Sequence, residues 1–341
     1  MEGRYNSAAG YFKRTYGERL QKLVVDAGFT CPNRDGTKGR GGCTFCDNAA
    51  FHPGYSTPDK PIRQQLDEGI EFHRLRYPRA RHYLAYFQPF TNTYAPLERL
   101  RSLYLEALSH PSVTGLVIGT RPDCVDEEIL DFLADLKDGK ILKDWRRLLP
   151  GPDGSGMEVS APLLTLEYGI ESCNDQTLRR INRCHDFACA RKAVALTSER
   201  GIDCGAHFIL GLPGETLKML LSECDKISAL PLRTVKFHQL QLVKGTRMER
   251  EFAEKPADSL RLGLEDYLDL ITDMLERLRP SLCIERIAGE VPPRFLGETQ
   301  WGLLRNVDLI RRLEARLEER DTFQGRLYRP LPELSGPESP A

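Results

Sequence analysis

Neither sign of charge dominates this chain of 341 residues: 48 lysines and arginines stand against 49 aspartates and glutamates. A global basic field is excluded, so any contact with nucleic acid must use a local patch. No apolar run approaches the ~18 residues that a membrane span needs, so no membrane partner is expected. The opening stretch, MEGRYNSAAGYFKRTYG, has no apolar segment of the signal-peptide kind. No internal repeat is visible. These absences predict a cytoplasmic setting, where thiols stay reduced. The ten cysteines are then free, metal-bound or reactive, rather than a disulfide framework. Hydrophobic residues at 40% and charged residues at 28% fit a globular chain of one large or two medium domains.

What is present is a rhythm. Short runs rich in Val, Ile, Leu, Phe and Tyr predict strands at 22–28, 82–88, 114–120, 163–170, 204–212 and 234–243. Between them lie helix candidates at 61–76, 96–109, 125–137, 175–200 and 215–229. Six alternations of strand and helix argue for an α/β fold with a parallel sheet and crossover helices. The pattern alone does not separate an open sheet from a barrel. Residues 138–161 contain PGPDGSG, which is turn chemistry, and predict an exposed insertion before the fourth strand. After residue 244 the chain turns helix-rich: 258–279, a short strand at LCIERIA, then 302–320. The Pro- and Ser-rich tail predicts disorder.

Three cysteines follow the first strand directly. Cys31 stands alone, and Cys43 and Cys46 form a C-x-x-C pair. The intervening PNRDGTKGRGG has four glycines and few apolar residues, so it is a loop able to wrap something compact. With His52 the set could make a Cys3His zinc site. Alternatively, three thiolates could hold three irons of a cubane cluster and leave the fourth open. A plain reduced-thiol loop is the third possibility. Position favours catalysis, because such folds place active sites at the C-terminal ends of the strands.

The loop and its surroundings resemble the radical S-adenosylmethionine (SAM) enzymes. The usual loop there is C-x3-C-x2-C, and the eleven-residue gap here departs from it. Long gaps occur in the branch containing the elongator catalytic subunit. DAGFTCPNRDGTKGRGGCTFC, GTRPDC, LEYGIES, INRCHDFA, HFILGLPGET, VKFHQLQLVKGT and RDTFQG resemble the bacterial YhcC-like group of that branch, over about residues 11–328. The resemblance implies a partial (β/α)6 barrel over residues 14–246, a helical C-terminal extension over 247–328 and a disordered tail over 329–341.

It further implies a 4Fe-4S cluster on Cys31, Cys43 and Cys46, with SAM on the open iron. Reductive cleavage of SAM would then give a 5′-deoxyadenosyl radical. Phe45 would lie against the adenine. Gln88, Thr91, Asn92 and Thr93 stand where relatives carry a Gly-Gly-x motif that receives the SAM amino group. Arg121 and Asp123 end the third strand and would project into the site, although Asp123 could equally cap the helix starting near 125. Glu171 matches a ribose contact, where an acceptor-only carboxylate suits two hydroxyls. Arg183 matches a residue near the SAM carboxylate. Gly211 and Pro213 belong to GLPGET, which lines the cofactor pocket in relatives. His207 is a further candidate for that pocket, and His238 lies on the next strand. Gln239, Gln241 and Lys244 are candidates for substrate contact. Cys184 and Cys189, five apart on one predicted helix, do not share a face, so no second cluster is expected with Cys173. No side chain stands out as a catalytic acid, base or nucleophile.

The elongator branch acts on the wobble uridine of transfer RNA, so the resemblance implies RNA as substrate and partner. Ten basic against six acidic residues in 1–63, and the arginines of RRINR, offer local patches. The acetyl-CoA loop of that branch is not found, and RIAGEV at 286–291 is the nearest string. Acetyl transfer is therefore not expected. A ferredoxin or flavodoxin would supply electrons. The alternatives are a radical SAM enzyme acting on a small molecule or a protein and, more distantly, a non-enzymatic zinc-binding RNA module.

Overall fold

The computed structural model describes residues 3–50, 53–297, 300–302 and 304–330. His52 and residues 331–341 of the tail lie outside them. In chain order the elements are α1 (Ala8–Tyr16), β1 (Gln21–Val25), α2 (Ile62–Arg74), β2 (Tyr83–Phe87), α3 (Leu97–Ser109), β3 (Val113–Thr120), α4 (Glu127–Lys137), β4 (Arg147–Leu149), β5 (Met157–Val159) and β6 (Leu163–Glu171). Then follow α5 (Asp175–Arg180), α6 (Phe187–Glu199), β7 (Asp203–Leu210), α7 (Leu217–Ala229), β8 (Thr234–Gln239), α8 (Arg247–Glu254), α9 (Leu264–Arg277), β9 (Cys283–Arg286) and α10 (Asn306–Glu319).

The six expected strands are present and all pair in parallel, in the order β1-β2-β3-β6-β7-β8. Parallel pairing needs a crossover each time, and the amphipathic helices supply it. In α3, for example, Leu100, Tyr104, Ala107 and Leu108 share the buried face, and Pro96 precedes the first turn. Alternate strand residues such as Leu23, Phe87, Ile118, Leu166 and Phe208 pack outward under the helices. LCIERIA contributes a seventh strand, β9, paired in parallel with β8.

The sheet is strongly curled. Seven strands at ~4.8 Å spacing would span about 29 Å if flat. Yet Lys22 on β1 bonds Glu285 on β9, at the opposite edge, with Nζ–Oε1 2.6 Å. The result is a half-barrel. Its lower end is stoppered by Tyr11, Phe12 and Tyr16 of α1.

Two expectations are corrected. The 138–161 segment is not simply exposed: it forms the antiparallel hairpin β4–β5. Leu149 is buried against Leu20, Leu84, Tyr86 and Val117, and Trp145 donates Nε1–H to the Leu108 carbonyl. Its apolar residues cover an end of the sheet that would otherwise meet water. The helix expected over 175–200 is two helices, interrupted at 181–186, where Asn182 and Cys184 have φ of 55° and 59°. Left-handed backbone cannot continue a right-handed helix. Cys184 therefore lies in the break, and helical spacing to Cys189 does not apply.

Candidate active site

The loop after β1 is held by its own backbone and by the α5–α6 break. The Cys31 carbonyl accepts from the N–H groups of Arg34 and Asp35, at 2.8 and 3.2 Å. Fully buried Asn33 donates Nδ2–H to the Asn182 carbonyl at 2.5 Å. In return Asn182 donates Nδ2–H to the Gly42 carbonyl at 2.8 Å, and the Thr44 N–H reaches the Ile181 carbonyl at 3.0 Å. Asparagine tolerates the left-handed region, which explains why it can turn the chain here. Neither Asn33 nor Asn182 was singled out in the sequence; an asparagine inside an expected helix was the available signal.

All three cysteine thiols line one cavity of about 250 Å³ at the C-terminal mouth of the strands. Phe45, Gln88, Thr91, Arg121, Glu171, Arg183 and His207 line it as well. Asn92, Thr93, Gly211 and Pro213 do not. Asn92 is buried and donates to the carbonyls of Phe87 and Gly119, which ties the turn after β2 to β3. Thr93 bonds Thr120 and the Cys124 carbonyl. Gly211 has φ 93°, and a Cβ there would lie 2.3 Å from the Leu260 carbonyl oxygen, so its role is steric. The Glu215 carboxylate accepts from the N–H groups of Gly211 and Leu212 and shapes that turn, while Thr216 caps α7. Gln239 and Gln241 reach the cavity while donating to the Gly289 carbonyl. Lys244 instead turns to the Arg294 carbonyl.

Electrostatics concentrate on two arginines. Arg183 is 6% exposed and donates Nη1–H to the Cys43 sulfur at 3.3 Å, with Glu171 Oε1 at 3.6 Å. Burial works against its charge, but Cys43 and Glu171 more than offset that and hold it protonated. Arg121 pairs through Nε and Nη2 with Asp123 at 2.9 Å. Burial opposes the Asp123 charge, yet Arg121 and Lys38 hold its carboxyl well below the usual range. Asp126, not Asp123, caps α4. Glu171 has φ 74° at a register shift between β6 and β7. Phe90, also in the cavity wall, has φ 62°. Strained backbone, at Glu171 beside a bulge, is a usual way of aiming side chains into a site.

The floor is a layer of charge, of which only His207 stood out in the sequence. Glu167 accepts from Lys22 Nζ and Lys236 Nζ, each at 2.6 Å, and from His207 Nε2 at 2.9 Å. Lys236 also donates to the Tyr86 hydroxyl at 3.2 Å. Burial disfavours the Glu167 charge, but the two lysines and His207 hold the carboxyl far below its ordinary value. Burial, with His207, Arg286 and Lys236 nearby, keeps His238 neutral. A charge at alternate positions in otherwise apolar strands (Lys22, Glu167, His207, Lys236, Glu285) was the sequence signal for this layer.

The donor set suits a cluster better than a single ion. Among the described residues no three His, Cys, Asp or Glu side chains converge as one metal ion requires. Three thiols spread around one cavity match a cubane, which presents a separate iron to each. Burial pushes the Cys46 thiol up to about 11, so a thiolate there at neutral pH calls for a metal beside it. Two buried guanidinium nitrogens, Arg121 Nη1 and Arg183 Nε, have no partner, which fits an anionic group in the cavity.

Comparisons with known proteins identify the family. Residues 232–319 match the family described as the Radical_SAM C-terminal domain. Over 284 residues the chain is 36% identical to protein YhcC of Escherichia coli K12, covering 83% of each. It is 32% identical to YtqA of Bacillus subtilis over 336 residues, covering 98% of this chain and 96% of that one. The chain belongs to the radical SAM family, in its YhcC-like group. A solved structure of Elp3 from Methanocaldococcus infernus shares the fold, with a TM-score of 0.62 at 14% identity over 89% of this chain and 64% of that one. The protein is thus a radical SAM enzyme with a partial barrel, and its family cofactors are a 4Fe-4S cluster and SAM. The zinc-module alternative falls with that assignment. No helix among the described residues is long and apolar enough to cross a membrane.

Proposed function

We propose that Cys31, Cys43 and Cys46 each hold one iron of the cluster, that SAM occupies the cavity beside them, and that the substrate is RNA, specifically the wobble uridine side chain of a transfer RNA. The observation that carries the cofactor part is the convergence of three thiols and the half-unpaired Arg183 on one cavity at the strand mouth. When bound, the cluster and SAM supply a 5′-deoxyadenosyl radical by reductive cleavage of SAM.

The chain's own part is orientation. Arg183 and Arg121 offset the negative charge of thiolates and a carboxylate. Glu171 accepts ribose hydroxyls, and the Phe45 ring lies along the adenine. Gln241, His238 and Arg286, which also line the cavity, are placed for the substrate. Leu240 and Ile209 in the wall keep water from the reacting groups. The long gap between Cys31 and Cys43 and the shared fold with Elp3 support the RNA reading. A cytoplasmic setting and a ferredoxin or flavodoxin as electron donor complete the proposal.

Two experiments test it. Anaerobically purified protein should be brown, carry about four irons and release 5′-deoxyadenosine when reduced with SAM. Cys43→Ala should lose both; a variant that keeps its iron would remove Cys43 from the ligand set. Transfer-RNA nucleosides from cells with and without the gene should differ at the wobble position. Identical profiles would sink the RNA reading and leave a small molecule or protein as substrate.

A further inference from the structure

A second concavity, of about 260 Å³, lies on the outer side of the cysteine loop. Arg34, Gly42, Cys43 and Cys46 line both it and the main cavity, so one thickness of loop separates the two. Its wall carries four guanidiniums, from Arg34, Arg40, Arg247 and Arg250, and no carboxylate. Arg247 is engaged with Glu251 at 2.6 Å, and Arg34 donates Nη2–H to the Cys46 carbonyl at 2.7 Å. Arg40 and Arg250 have no carboxylate partner among the described residues, and both are exposed. Thr44 adds an independent sign of a ligand. The residue lines the groove and is 3% exposed; its N–H bonds the Ile181 carbonyl and its carbonyl accepts from Met248 N–H, yet its buried hydroxyl has no partner. A buried hydroxyl is ordinarily satisfied. The N-terminus of α8 also opens here, but the Met248 and Glu249 N–H groups already bond the Thr44 carbonyl and the Thr246 hydroxyl. The side chains, rather than the helix, would therefore hold a ligand.

We infer that this groove binds a backbone phosphate of the RNA substrate, next to the nucleotide whose base enters the main cavity. The inference rests on the RNA reading above. Four guanidiniums with an uncompensated hydroxyl suit a phosphodiester, whose oxygens only accept. A base that must reach an enclosed site is turned out of its stack, and its flanking phosphates then need a fixed hold. The four shared lining residues put groove and cavity side by side, as an anchor beside the reacting nucleotide requires. An acidic redox protein would be drawn by the same charge, but it offers no reason for a buried hydroxyl to lack a partner.

The test uses the full chain and a fluorescein-labelled transfer-RNA anticodon stem-loop, with anisotropy measured across a salt series. Arg40→Gln/Arg250→Gln should bind about tenfold more weakly at moderate salt, with a log–log salt slope shallower by about two. Thr44→Val should weaken binding several-fold at an unchanged slope, since no charge is removed. Circular dichroism checks that each variant is folded, and the exposed arginine pair serves if Thr44→Val is not. Wild-type binding with an unaffected double variant overturns the groove and leaves the RNA reading intact. Wild-type protein that binds no RNA at low salt overturns both. A double variant that keeps RNA but loses affinity for an acidic flavodoxin also overturns the inference, and assigns the groove to the electron donor.

Discussion

Glu167 is 1% exposed, and three cationic or ring nitrogens from three other strands converge on its two oxygens. Lys22 and Lys236 are balanced by Glu167 and Glu285, with Lys236 also 3.2 Å from Glu285. Breaking a buried pair by removing one partner costs about 3–5 kcal/mol, because the other charge stays buried. Glu167→Gln should lower stability by that order, read as a fall in the urea midpoint. A change below about 1 kcal/mol would mean that water reaches the lysines. The same layer forms the cavity floor, so the variant should also bind SAM more weakly. Arg183 is the corresponding residue at the mouth, with Nη1 on Cys43 and Nε unpaired. Neither residue's environment could be read locally: each lies between neighbours far away in sequence.

At the scale of elements, the break between α5 and α6 serves the cysteine loop. Asn182 supplies donors to the Gly42 and Arg40 carbonyls and a carbonyl to Asn33. Asn182→Ala removes the two donors and puts a Cβ-bearing residue without a compensating side chain at φ 55°. A loss of about 2 kcal/mol is expected, together with reduced iron content. Full iron content in a stably folded variant would show that the tether is dispensable.

The turn after β7 carries another element-scale device. Ser172 Oγ lies 2.9 Å from Glu215 and 3.0 Å from Glu223. One hydroxyl proton cannot serve both carboxylates, so one carboxyl is expected to be neutral. Burial pushes Glu215 up to about 8 and Glu223 up to about 7, with Glu223 adding to the rise at Glu215. The folded state thus keeps protons that the unfolded chain releases above the ordinary value of 4.5. Stability should fall as pH rises from there through about 7 to about 8. Glu223→Gln should flatten that decline, raising Tm at the alkaline end and not at the acidic end. A parallel shift at every pH would show that the pair does not titrate on unfolding.

For the whole molecule, closure of the sheet is the decisive event, and the chain's distant segments secure it. Buried Gln324, in the RDTFQG motif, accepts from Asn6 N–H at 2.8 Å and donates to the carbonyls of Arg279 and Leu282, each at 2.9 Å. Asn6 in turn accepts from Ile284 N–H of β9, and α1 leads from there to β1. Gln324→Ala would take this partner from the Asn6 N–H and the Leu282 carbonyl, while the Arg279 carbonyl keeps the Leu282 N–H. It should cost about 3 kcal/mol and loosen β9, seen as faster hydrogen exchange at Ile284. Unchanged exchange would place the motif outside the closure of the barrel. The motif carried a family resemblance in the sequence; the structure gives it a mechanical role.

The alternation of strand and helix, the parallel pairing and the three cysteines at the end of the first strand were legible in the sequence. These follow from local periods and short-range steric rules, which each segment carries in its own residues. The family resemblance added the cofactors. Several features were decided by tertiary structure alone: β9 joining the sheet, Lys22 meeting Glu285 across it, Asn92 and Gly211 shaping turns outside the cavity, and Thr44 left unpaired beside four arginines. All depend on how far the sheet curls. That curl sums small twists over seven strands and the packing of helices far apart in sequence, so no single stretch records it.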